Sequence, residues 1–242
     1  MNLLDLVNRV AEGLPEVDHV TETERASRRT GEIYLPGVKT LTEVQFVDEL
    51  MDWWSNAHDD DFKSTSTVGW AKEVAYKDIA RANCDLVLCT DGSPLSEPEW
   101  GIEFKHISLA GNNGKNNDYN VSKMLSPYLK DRSLMHDILR LKTSSSAQKK
   151  AVIGYAFDYS FKSCDEALIR HPEHKEIIKN LRAVCRSVDS NEGVYSILDL
   201  IDFADQIYRN EGLVGQVVKV PFQGAWKHPA GGNGWIFGWE VL

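Results

Sequence analysis

Three short apolar runs constrain the fold of this 242-residue chain more than any other feature. Each run is of strand length and is rich in β-branched, aromatic and other large apolar residues. The runs lie at residues 84–89, 100–109 and 150–159. Segments in which apolar residues recur every three or four positions flank or separate them, as in amphipathic helices. The sequence therefore predicts an α/β fold with a mixed sheet, and not a long alternating βαβ series.

The helix predictions rest on capping residues and on apolar spacing. Thr42 can cap a helix that ends near Ala57, and Thr67 can cap a second helix over residues 68–82. Further helices are predicted at residues 3–12, 127–142, 172–187 and 195–210, and further strands at 32–35, 217–222 and 235–241.

Composition places the chain among ordinary globular proteins, with 42% hydrophobic and 26% charged residues. No apolar run approaches the roughly 18 residues that are needed to cross a bilayer. The first residues also lack the basic and apolar regions of a signal peptide. None of the four cysteines forms a C-x-x-C pair, which argues against a zinc ribbon or a thioredoxin motif. We therefore expect a cytoplasmic protein with no membrane partner.

Charge is unevenly distributed along the chain. The net charge of −9 argues against a nonspecific nucleic-acid coat protein. Residues 115–150 nevertheless hold eight Lys or Arg and only three Asp. On charge alone a solvated helix face accounts for this stretch, and a nucleic-acid-binding face is the alternative.

Charged residues interrupt two of the apolar runs. Glu103 and Lys105 lie two positions apart and therefore share one face of a strand. If residues 90–99 connect two paired strands, Asp85 converges with Glu103. Two carboxylates suit Mg²⁺, which neutralises a phosphate and lowers the pKa of a bound water, and a lysine can act on that water. The structural alternative, a surface hairpin with a Glu–Lys pair, leaves Asp85 unexplained.

The order of a helix glutamate, a strand aspartate and a strand Glu-x-Lys resembles the PD-(D/E)xK nuclease superfamily. The resemblance covers residues 67–159 and implies a restriction-endonuclease-like core with the order αβββαβ. It implies that Asp85, Glu103 and Glu73 bind Mg²⁺, which Mn²⁺ can replace. It also implies that all three acids and Lys105 form the catalytic site.

The resemblance extends to the organisation and the function of the whole chain. We expect an N-terminal extension over residues 1–66, a nuclease core over 67–160, and C-terminal helices with a β-hairpin over 161–242, packed as one domain. The implied function is that of a Mg²⁺-dependent endonuclease on double-stranded DNA, of the type II restriction kind, working as a homodimer without a nucleotide cofactor. The alternatives are a repair or recombination nuclease, a non-catalytic DNA-binding or scaffold protein, and an RNA nuclease.

Five basic residues are candidate contacts to the DNA backbone. Lys115 follows a glycine-rich loop whose spacing does not fit a P-loop. Arg132 and Arg140 are eight residues apart and share one face of the helix predicted at 127–142. Arg28 and Arg29 lie in a polar segment before a strand. For the two helix residues, a solvated face is the alternative.

Overall fold

The computed structural model describes residues 1–23, 25–26, 31–66, 68–126, 133–188 and 193–242. The helices are α1 Leu3–Val20, α2 Glu43–Ala57, α3 Asp118–Leu125, α4 Leu134–Thr143, α5 Phe161–Arg170, α6 Lys175–Val188 and α7 Leu198–Asn210. The strands are β1 Trp70–Ala75, β2 Asn83–Leu88, β3 Trp100–His106, β4 Lys149–Phe157, β5 Tyr159–Ser160, β6 Val194–Tyr195, β7 Val218–Ala225 and β8 Gly232–Glu240. No helix in these ranges is long and apolar enough to cross a membrane.

Six of the strands form one mixed sheet with the order β1-β2-β3-β4-β8-β7. The pair β3–β4 is parallel, and every other neighbouring pair is antiparallel. Strands β5 and β6 form a separate two-stranded sheet. The prediction of an α/β protein with a mixed sheet flanked by helices is therefore confirmed.

Strand β4 lies at the centre of the sheet, because β3 and β8 pair with its two edges. All residues from Ala151 to Phe157 are buried, as expected for a strand that is covered on both faces. Gly154 pairs with Phe237, and a Cβ at this position would lie 2.4 Å from the Phe237 ring. Glycine is therefore required here so that the aromatic ring can pack directly on the backbone.

Helices α2 and α4 cover opposite faces of the sheet at β3. Phe46 of α2 packs edge-on against Phe104, with ring centroids 5.9 Å apart. Side chains of α4 instead contact Glu103 and Lys105, which point to the other face because strand residues alternate. Strand β3 thus presents an apolar face to Phe46 of α2 and a charged face to α4.

The predicted helix at 68–82 is wrong. The chain forms β1 there, and Trp70 pairs with Leu88 across an antiparallel ladder to β2. The apolar residues of this segment have helical spacing, but hydrogen bonding to β2 at the edge of the sheet determines its conformation, because β propensity depends on the neighbouring strand. Glu73 therefore lies on an exposed edge strand, with a left-handed backbone (φ 51°), and not on a helix.

Other boundaries differ from the sequence predictions. Helix α1 continues to Val20, past Pro15, because apolar residues along it stay buried against the rest of the core. The strand predicted at 32–35 is only an isolated bridge between Ala26 and Ile33. Helix α4 begins after the N-cap Ser133, and residues 127–132 of that prediction lie outside the described residues. The predicted C-terminal hairpin is present as β7 and β8.

Candidate functional site

Pairing of β2 with β3 brings two of the predicted acids together. The register places Leu86 opposite Ile102, and continuing it by one residue places Asp85 opposite Glu103. The Oδ2 atom of Asp85 accepts a hydrogen bond of 2.7 Å from the backbone N–H of Phe104. Directly opposite residues of an antiparallel pair share a face, so both carboxyl groups lie on the charged face of the sheet.

Lys105 lies on the same face and contacts carboxylates from two helices. Its Nζ is 2.9 Å from Oδ2 of Asp137 on α4 and 3.2 Å from Oε2 of Glu43 at the start of α2. The other oxygen of Glu43 accepts a hydrogen bond of 3.3 Å from the backbone N–H of His106. The N-terminus of α2 is thereby tied to the end of β3.

Arg140 joins the remaining acids from α4. Its Nη2 lies 2.9 Å from Oε1 of Glu103 and 2.9 Å from Oδ1 of Asp137, one helical turn earlier. The guanidinium stands 5.6 Å from the ring centroid of Tyr76, whose hydroxyl donates to the same Glu103 oxygen. Acids and bases therefore alternate in one connected network. We call it the acid–base cluster, and it consists of Glu43, Asp85, Glu103, Lys105, Asp137 and Arg140.

The acid–base cluster holds four carboxyl groups but only two cations. With every group ionised it carries an excess of two negative charges. Glu103 is only 2% exposed and Asp137 only 1%, so water solvates this excess poorly. Glu43 is partly exposed to water, whereas the buried Glu103 and Asp137 depend on protons or on cations to neutralise their charge.

The pKa values of the acids reflect this requirement. Burial raises the pKa of Asp85 to about 6. Burial and the nearby charge of Asp85 raise the pKa of Glu103 well above its usual value, and burial also raises that of Asp137. Burial disfavours the charged form of Lys105, but Glu43 and Asp137 outweigh it and raise the lysine pKa. Lys105 is therefore protonated at neutral pH.

The donor set of the acid–base cluster fits a divalent cation. The register places the carboxyl groups of Asp85 and Glu103 side by side on one face of the sheet, and the pKa values of both are raised. A divalent cation between them would balance the charge that their deprotonation creates. Among the described residues, no three Asp, Glu, His or Cys side chains are grouped to hold a metal. Mg²⁺ often needs only one or two carboxylates, with water and substrate oxygens completing its shell.

Two of the residues that complete the cluster were not among the predicted site residues. Glu43 is the first residue of α2, directly after the predicted cap Thr42. Asp137 lies three residues before Arg140 on α4, a spacing that pairs acids and bases on one helix face. The spacing of Asp137 and Arg140 was available in the sequence, whereas the contact between α2 and the end of β3 depends on the tertiary fold.

The other predicted site residues lie elsewhere. Exposed Glu73 accepts a hydrogen bond of 3.3 Å from Asn83 and takes no part in the acid–base cluster. Lys115 is exposed in the turn that closes with a hydrogen bond of 2.8 Å from Gly111 N to its carbonyl. Arg140 is held inside the cluster and not on a solvated stripe. Arg28, Arg29 and Arg132 lie outside the described residues.

Comparison with protein-family models, with curated proteins and with solved structures finds no match. The function is therefore inferred from the acid–base cluster and from the order of the elements around it.

Proposed function

We propose that the chain is a Mg²⁺-dependent endonuclease that hydrolyses DNA phosphodiester bonds on a restriction-endonuclease-like core. The order of elements supports this proposal. Among the longer elements, the chain order is helix α2, strands β1 to β3, helix α4 and strand β4, which reads α, βββ, α, β. Helix α3 is added before α4. Strands β1 to β3 are antiparallel neighbours, and β4 is parallel to β3. The sequence resemblance implies an αβββαβ order within residues 67–159, whereas the first helix of the order described here, α2, lies before residue 67.

One observation carries the proposal: Asp85 stands opposite Glu103, with Lys105 on the same face. A surface Glu–Lys pair would need no third carboxylate, no burial and no raised pKa values. The acid–base cluster has all three. Perturbed acids grouped with a cation are typical of sites where a reaction is catalysed.

The cluster residues divide the roles as follows. Asp85 and Glu103 would hold the divalent cation, Mg²⁺ or Mn²⁺, whereas Glu43 pairs with Lys105 and positions it. When bound, the cation neutralises charge on the phosphate and lowers the pKa of a coordinated water. Lys105 is held protonated by Glu43 and Asp137, so it acts as a fixed positive charge beside the phosphate and not as a general base.

Double-stranded DNA is the proposed substrate, and type II restriction is the proposed biological role. A homodimer would place two such sites on the two strands of a duplex, because a two-fold protein axis matches the two-fold symmetry of DNA. A repair or recombination nuclease of the same fold is the alternative, and it differs in reading DNA structure and not sequence.

A cleavage survey tests the proposal. Supercoiled plasmid, linear phage DNA, a branched duplex and single-stranded RNA are each incubated with the protein in Mg²⁺ or in EDTA. We expect discrete DNA fragments in Mg²⁺ and none in EDTA. Cleavage of the branched duplex alone would support the repair alternative, and binding of DNA without cleavage would support a scaffold protein.

Variants assign any cleavage to the acid–base cluster. Asp85→Asn should abolish it. Asp158→Asn is the matched control, because Asp158 is another largely buried carboxylate with a raised pKa, but it only accepts hydrogen bonds from Ser196, Ile197 and Trp235. Cleavage that survives in Asp85→Asn would overturn the assignment of the site.

A further inference from the structure

Arg140 is the cation that neutralises Glu103 in the acid–base cluster. This inference rests on the proposed function, because it concerns how a divalent cation gains access to Glu103. We propose that Arg140 is a displaceable counter-ion, which pairs with Glu103 until a divalent cation binds and then gives up that carboxylate. It is a positioning residue that tunes the affinity of the site for the cation.

Arg140 already neutralises Glu103 through one of its two oxygens. Oε1 of Glu103 lies 2.9 Å from Nη2 of Arg140 and also accepts from the hydroxyl of Tyr76. Glu103 is 2% exposed, so its charge must be balanced by neighbouring groups and not by bulk water. A guanidinium and a divalent cation therefore compete for the single negative charge of this carboxylate.

Arg140 has other partners to keep when it leaves Glu103. The same Nη2 atom lies 2.9 Å from Oδ1 of Asp137, and the guanidinium stands over the ring of Tyr76. Both of these groups can hold the side chain without Glu103. Displacement thus costs one ion pair and does not leave a buried, unpaired guanidinium.

The charge balance of the cluster favours such an exchange. Four carboxylates and two basic side chains leave an excess of two negative charges, which equals the charge of one divalent cation. A cation that binds at Asp85 and Glu103 makes the cluster neutral while Arg140 and Lys105 both keep their charges. The exchange therefore needs a movement of the Arg140 side chain but no change in its ionisation.

Ca²⁺ binding measured by calorimetry tests the competition. We expect Arg140→Met to bind Ca²⁺ at least about fivefold more tightly than the wild type, the scale of one lost competing contact. Lys149→Met is the matched control, because Lys149 pairs with the buried Glu99 at 2.9 Å and lies 5.2 Å from the Trp100 ring centroid. It should leave the Ca²⁺ affinity unchanged. An unchanged or weaker affinity in Arg140→Met overturns the proposal.

A measurement on the wild-type protein does not depend on the folding of a variant. The ¹⁵Nε resonance of Arg140 should shift as Ca²⁺ saturates the site. That of Arg9, whose Nε donates to Asp61 at 2.7 Å, should not. A stationary Arg140 resonance during saturation overturns displacement, even if Arg140→Met binds more tightly.

The outcomes also separate this inference from the proposed function. If the wild type binds no Ca²⁺, both fail. If the wild type binds Ca²⁺, Asp85→Asn does not, and Arg140→Met matches the wild type, then only the displaceable counter-ion is refuted.

Discussion

The ammonium group of Lys105 on β3 contacts side chains from two helices, α2 and α4. Glu43 at the start of α2 and Asp137 on α4 lie within 3.2 Å and 2.9 Å of it. The sequence correctly places Lys105 on one strand face with Glu103, since residues two apart in a strand always share a face. It does not identify the partners of Lys105, because they come from elements 62 and 32 residues away in the chain.

Removal of Lys105 should destabilise the fold. Lys105→Met leaves Asp137, only 1% exposed, with Arg140 as its remaining ion-pair partner among the described residues. We expect the free energy of unfolding to fall by about 3 kcal/mol, the scale for breaking a buried pair. Urea denaturation measures this loss.

Two further variants serve as controls for the Lys105 substitution. Adding Asp137→Asn to Lys105→Met should recover part of the lost stability, because a buried negative charge that has lost one of its two cations is then removed. Lys149→Met should cost at most about 1 kcal/mol, since the Lys149 side chain is 45% exposed. Equal losses in Lys105→Met and Lys149→Met would contradict a buried network at Lys105.

Asp85 makes the stability of the protein depend on pH. Its pKa of about 6 is above the ordinary value, so the folded state binds more protons than the unfolded chain between about pH 4 and pH 6. Stability should therefore fall as pH rises through this range. Without divalent cations, Asp85→Asn should be more stable than the wild type at pH 7.5, by roughly 2 kcal/mol.

Thermal unfolding in EDTA and in Mg²⁺ measures both effects of Asp85. Mg²⁺ should raise the melting temperature of the wild type and of Asp158→Asn, but not that of Asp85→Asn. The change in stability between pH 4.5 and pH 7.5 should therefore differ between the wild type and Asp85→Asn. An equal change in the two proteins would contradict the raised pKa of Asp85.

At the scale of elements, the strands that the sequence predicts best are the buried ones. Runs 84–89, 100–109 and 150–159 correspond to β2, β3 and β4, because strands covered by helices need continuous apolar residues. The sequence predicts a helix at β1 because this strand lies at the edge of the sheet, where only β2 fixes its conformation. The same error places Glu73 on a helix and not on an exposed edge strand.

A buried lysine joins three elements outside the acid–base cluster. Lys39, in the short 3-10 helix Val38–Thr40, donates to the carbonyl of Ala110 at 2.8 Å and to the hydroxyl of Tyr159 at 2.9 Å. No carboxylate in the described ranges forms an ion pair with it. Burial lowers its pKa to about 7.

Lys39→Met should change how stability depends on pH. Between pH 7 and about pH 10 the unfolded chain binds the lysine proton and the folded protein does not, so wild-type stability rises with pH in this range. The stability of Lys39→Met relative to the wild type should therefore be highest near pH 6.5 and decrease toward pH 9.5. Urea denaturation at a series of pH values measures the difference, with exposed Lys162→Met as a control. A difference that stays constant with pH would contradict a buried neutral amine.

At the scale of the whole molecule, the segments before and after the central strands contribute to the same sheet and core. The β7–β8 hairpin extends the sheet beyond β4, and α1 packs against this hairpin and α2. The sequence predicts the hairpin, but not its pairing with β4, which joins residues about 80 positions apart. The same limit applies to the acid–base cluster: its strand residues could be predicted as a group, whereas the position of its helix residues beside them depends on the tertiary fold.

A single-turnover chase tests most directly whether this cluster is a metal-dependent nuclease site. Complexes of the protein with DNA are assembled in Ca²⁺, which fills oxygen sites without supporting cleavage of the Mg²⁺ kind, and are then mixed with excess Mg²⁺. The account predicts that the wild type and Lys149→Met cut the DNA after the chase, and that folded Lys105→Met cuts at least about 10²-fold more slowly. Cleavage by the wild type in EDTA, or by Lys105→Met at the wild-type rate, would contradict it.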